Sequence, residues 1–81
     1  MSKQKVISAV KKRLANVGHG IEFDIVDAGV RAEDTWWYVP VFAHKNGKDV
    51  NREVTVGIYA NVENALYKSD KLTVLLIPVV D

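Results

Sequence analysis

Side chains able to do chemistry are few in this 81-residue chain, and none falls into a pattern that a reaction requires. There is no cysteine, hence no thiol nucleophile, no thiolate zinc site and no disulfide framework. His19 lies between two glycines and His44 closes an apolar run, so neither lies within a predicted helix that could hold a His, Asp or Glu partner at the spacing of a metal site. Gly18-His19-Gly20 is too short for a phosphate loop, and no strand precedes it in the strand-loop-helix order such loops need. Glu22 and Asp24 alternate with apolar neighbours, which sets them about 7 Å apart on one face of a strand. Paired carboxylates can move protons or hold a divalent cation, but alternating acids ordinarily solubilise an outer face. No catalytic, cofactor-binding or metal-ligating residue is assigned, and no cofactor is implied.

What stands out is aromatic. The stretch Asp34 to His44 holds both tryptophans and four of the seven aromatic residues, and turn formers bound it on both sides. Its aromatic and β-branched content predicts a strand. Strand alternation puts Trp37, Val39, Val41 and Ala43 on one face and Trp36, Tyr38, Pro40, Phe42 and His44 on the other. Both faces are largely apolar, whereas a small antiparallel sheet normally turns a polar face to water. Trp36, Tyr38 and Phe42 are therefore the candidate interaction residues, and a homodimer or another protein is the expected partner.

The elements that must position these residues emerge from periodicity. Val6, Ile7, Val10, Leu14 and Val17 recur at helical spacing, predicting an amphipathic helix with Ser2 as its N-cap and Gly18 as its stop. Alternation from Ile21 predicts a first strand whose phase slips at Ile25-Val26, which requires a bulge near Val26 or a strand end near Gly29. A polar turn over 31–35 leads into the tryptophan strand, where Pro40 disfavours a central position unless the ladder is locally broken. Asn46-Gly47 signals a hairpin into a third strand over 50–58, with Val54, Val56 and Ile58 inward. A short helix over 61–68, capped by Asn61, precedes a final strand over 72–80.

The expected fold is thus a single α+β domain over residues 1–81. It is a two-layer α/β sandwich in the order α-β-β-β-α-β, with a four-stranded mixed sheet. The first three strands form an antiparallel meander, the last runs parallel to the third or the first, and both helices lie mainly on one face. The other face then shows Trp36, Tyr38 and Phe42, with Tyr59 and alternate residues of the last strand beside them.

Composition narrows the class. Hydrophobic content of 48 % with 26 % charged residues suits a globular domain, and a formal net charge of +1 does not mark a nucleic-acid binder. The charge is uneven: Lys3, Lys5, Lys11, Lys12 and Arg13 fall in the first twenty residues and five acids in the next twenty, so a basic helix near an acidic strand edge is expected. That helix is the weak nucleic-acid alternative. No apolar run approaches the roughly 18–20 residues of a membrane span, no secretory signal is evident, and cytoplasm is the expected location.

The order of elements is similar to the core of the restriction-endonuclease-like nucleases. That resemblance implies a metal site with an acid opening strand two and an acid-x-lysine on strand three. Asp34 and Glu53 stand at the two acidic positions, but the residue two after Glu53 is Thr55 rather than lysine. A degenerate, metal-dependent nuclease-like domain is the enzyme alternative.

Overall fold

The computed structural model describes residues 2–17 and 20–80. The proposed stop at Gly18 and the turn histidine His19 lie outside them. Helix α1 (Lys3–Ala15) begins where the Ser2 hydroxyl accepts the Lys5 amide, and it buries Val6, Ile7, Val10 and Leu14 of the predicted stripe, whereas it ends at Ala15 with Asn16 as its C-cap, so Val17 falls beyond it.

Strand β1 (Glu22–Ile25) and the short β2 (Arg31–Glu33) flank a single 3-10 turn, Asp27–Gly29. Both pair antiparallel with β3 (Trp36–Lys45): Ile25 opposite Val41 and Asp24 opposite Phe42 from β1, Arg31 opposite Tyr38 and Glu33 opposite Trp36 from β2. They therefore act as one strand interrupted in the middle, which is the break that the phase slip at Val26 requires. The polar turn expected over 31–35 shrinks to Asp34-Thr35, with Asp34 in the left-handed region (φ 54°).

The interruption also explains how proline occupies a central strand. The Pro40 carbonyl accepts the Val26 amide, so its donor-less nitrogen looks toward the same edge, where the chain has turned away through Asp27–Gly29. Gly29 completes the fit, because a Cβ there would lie 2.8 Å from Cγ of Pro40.

Asn46 and Gly47 both have positive φ, 55° and 75°, as a two-residue hairpin of the primed type demands. The returning strand β4 is only Lys48–Asp49. The third strand expected over 50–58 is not formed, and a helix takes its place. Residues 52–70 form one helix, α2 (Arg52–Asp70), whose N-cap is Asn51, not Asn61; the Asn51 side chain accepts the Glu53 amide at 2.8 Å. The alternation of Val54, Val56 and Ile58 is real but subordinate to Thr55, Tyr59, Val62 and Leu66, which recur at three and four residues and are buried. Val54 and Val56, expected inward, are 48 % and 53 % exposed. Tyr59, expected on the open face, is buried under the helix instead. Ser69 and Asp70 remain helical, and Lys71 ends α2 in the left-handed conformation (φ 58°) while the Leu72 amide bonds back to the Leu66 carbonyl.

Strand β5 (Val74–Pro78) is shorter than expected at both ends and runs parallel to the tryptophan strand β3, not to a third or first strand, with Val39 opposite Leu76. The sheet has five segments rather than four strands. β3 is central, with β1 and β2 along one edge and β4 and β5 along the other. Two helices on a mixed sheet make the fold α+β. Its core joins the α1 and α2 stripes to Val39, Val41, Val74 and Leu76 on one sheet face. α1 is tied to the end of α2 by Arg13 and Asp70, whose side chains meet at 3.3 Å. The acids of β1 point from the opposite sheet face, so the expected pairing of the basic helix with an acidic strand edge gives way to this helix-to-helix pair.

Candidate functional site

Register decides what shares the uncovered face. Residues directly opposite one another in a ladder point the same way, so Trp36, Tyr38, Pro40, Phe42 and His44 of β3 lie between two unlike flanks. One is charged: Glu22, Asp24, Arg31 and Glu33 from β1 and β2. The other is apolar: Leu75 and Ile77 from β5. Neither helix contributes a core residue to this side. Trp36 is 44 % and Leu75 41 % exposed, while Tyr38, Phe42 and Ile77 are half-buried by their neighbours alone.

The charged flank steadies the row without covering it. The Arg31 guanidinium lies over the Tyr38 ring, 5.3 Å from its centre, and also reaches Glu33 at 3.5 Å. Phe42 and the His44 imidazole stack with centres 5.9 Å apart and planes 15° from parallel, and Nε2 of His44 contacts Asp24 at 3.1 Å. These contacts hold Tyr38, Phe42 and His44 in place, and pre-ordered aromatic side chains lose little entropy when a partner covers them. Beyond Trp36 and Leu75 the apolar surface continues into a groove of about 400 Å³ that reaches Leu72 and the exposed Tyr67 on α2.

Both sheet edges are interrupted. Thr73 and Val79 exchange backbone bonds with β3, so the Leu76 amide points away from it; there the Glu63 carboxylate of α2 accepts that amide at 2.8 Å. On the far side, the 3-10 turn breaks the edge and charged side chains line it.

The structure thus brings Trp36, Tyr38 and Phe42 onto one accessible face and separates the acids of the nuclease resemblance. Asp34 is in the turn that opens β3, whereas Glu53 belongs to the first turn of α2, beyond the other end of that ten-residue strand, and is not on a strand at all. Among the described residues no three His, Cys, Asp or Glu side chains gather as a metal site would require. Lys3, Lys5, Lys11 and Lys12 are exposed along α1. Among the described residues no helix is long and apolar enough to cross a membrane.

Two features have no signal in the sequence. The Asp24–His44 contact arises from strand pairing, which alternation alone does not supply. The Glu63 cap depends on α2 lying beside β5, and nothing local to Glu63 announces it. Comparison with family models, curated proteins and solved structures finds no match to this chain.

Proposed function

We propose that the protein is a small non-catalytic interaction module that self-associates by packing the open faces of two sheets together, with Trp36, Tyr38 and Phe42 as anchors. The observation that carries this reading is the bare aromatic row: both helices cover one side of the sheet, and the other presents an apolar stripe two strands wide. Strand geometry makes that stripe roughly 27 Å long and 10 Å across. Contiguous apolar patches of several hundred Å² on soluble proteins are usually binding surfaces. Trp and Tyr supply large rigid contact area, the property that concentrates binding energy in few residues. The interrupted edges favour face-to-face packing over β-augmentation. A second copy offers an identical apolar stripe, as two-fold symmetry requires.

The patch is smaller than the roughly 800 Å² per partner of a standard interface, so the association is expected in the micromolar range. Sedimentation equilibrium across a dilution series tests it. The molar mass should rise from 9.0 kDa toward twice that value with concentration, and Trp36→Ala should hold it at 9.0 kDa with an unchanged circular dichroism spectrum. A wild-type chain that stays at monomer mass up to millimolar concentration, or a Trp36→Ala variant that associates as before, would overturn the reading.

A further inference from the structure

The helix-covered side of the sheet holds a second feature, independent of the aromatic row. Where the first turns of α2 pass over the ends of β3 and β5 lies a recess of about 310 Å³, at the small end of the range for ligand pockets. Its walls include Val41, Ala43, Pro78 and Val80. Its polar groups are sparse and unequal.

Tyr59 lines this recess and is only 4 % exposed, with its ring 6.1 Å from that of Phe23. Its hydroxyl has no hydrogen-bond partner among the described residues. No fully enclosed side-chain polar atom is left unpartnered among them, so the hydroxyl keeps some accessibility, and the recess that Tyr59 lines is the cavity beside it. Burial pushes its pKa up to about 12, so at neutral pH it is a proton donor awaiting an acceptor.

The other polar groups near it are already engaged or are charged. The Thr55 hydroxyl gives its proton to the Arg52 carbonyl at 3.0 Å. The Glu53 amide goes to the Asn51 side chain, and the Val54 and Thr55 amides go to the Asn51 carbonyl, so the start of the helix is largely self-satisfied. Arg52 takes part in none of the ion pairs among the described residues, although Asp49 lines the same recess. A buried neutral donor, an unpaired guanidinium and hydrocarbon walls together select an apolar molecule with an anionic acceptor at one end.

We propose that this recess binds a small apolar carboxylate. The carboxylate accepts the Tyr59 hydroxyl bond, Arg52 supplies the opposing charge, and the hydrocarbon rests on Val41, Ala43 and Pro78. A charge-assisted bond of this kind is roughly twice as strong as a neutral one, which suits a carboxylate better than an alcohol.

Titration of the full chain with octanoate, monitored by ¹H–¹⁵N NMR, tests the site. Saturable shifts should centre on the recess. Tyr59→Phe should weaken binding by about tenfold or more, as loss of a hydrogen bond to a charged group does, and Arg52→Gln by a smaller factor. Tyr59→Phe keeps the ring and removes a hydroxyl with no hydrogen-bond partner among the described residues, so the variant folds, as its amide spectrum would show. Trp36→Ala should bind octanoate like the wild type, which separates this site from the aromatic face. Absence of saturable shifts at millimolar octanoate, equal binding of octanol, or unchanged affinity in Tyr59→Phe would each overturn the proposal.

Discussion

Trp36 and Trp37 are neighbours in the chain and opposites in the molecule. Both sit at the start of β3 and share its ladder, yet Trp37 packs against the helix-covered core and Trp36 stands 44 % exposed on the open face. The backbone treats them alike; the difference comes from what lies above each face. On the inner side α2 spans nineteen residues, long enough for Tyr59, Val62 and Leu66 to roof the sheet together with α1. On the outer side nothing from the described chain crosses the sheet, and the only relief is a charged flank. The same residue type thus contributes to folding on one side and remains available for binding on the other.

The comparison breaks most visibly at Trp37. Trp37→Ala removes a large ring from the edge of the core, and partial burial brings the expected loss to about 2–4 kcal/mol, below the upper limit for a fully enclosed aromatic. Urea denaturation measures it; a loss no larger than that of Trp36→Ala would show that the two faces are not energetically distinct. Tyr59 sharpens the same contrast through pH. Its folded pKa is raised to about 12 from 10.0, so the unfolded chain loses its proton first as pH rises. Stability should therefore be intact below about pH 10 and fall as pH climbs toward 12, by up to about 2–3 kcal/mol. The urea midpoint compared at about pH 9 and about pH 11, wild type against Tyr59→Phe, reads this directly; the two chains should diverge only at the higher value.

The two faces also differ in how legible they are from the residues alone. The tryptophan strand, its alternation and its Asn46-Gly47 hairpin are local signals, and the structure bears them out residue by residue. The phase slip at Val26 and the misplaced Pro40 read in the sequence as separate irregularities; they are one feature, a broken edge that accommodates a proline against Gly29. The second helix is disguised at its start because Val54, Thr55 and Val56 are β-branched and Gly57 comes next, all poor helix formers. Tertiary packing of Thr55, Tyr59, Val62 and Leu66 outweighs that preference, and packing is what local propensity omits. The difference moves Tyr59 from the expected open face into the core, but leaves Trp36, Tyr38 and Phe42 where alternation puts them. The recess beside Tyr59 and the Glu63 cap depend on contacts between elements, so no window along the chain reveals them.

The smallest stability effect tests the comparison from the other side. Trp36 is opposite Glu33 and borders Leu75, with no core residue above it, so its ring buries little more on folding than its neighbours cover. Trp36→Ala should therefore change the unfolding free energy of dilute protein by under about 1 kcal/mol, the range of ordinary surface substitutions. At high concentration the gap should widen, because a dimer that binds only the folded chain adds stability by mass action, and the variant cannot draw on it. A concentration-dependent melting temperature in the wild type that disappears in Trp36→Ala would tie the exposed indole to association. A large loss at every concentration would instead make Trp36 part of the core and erase the distinction between the two tryptophans.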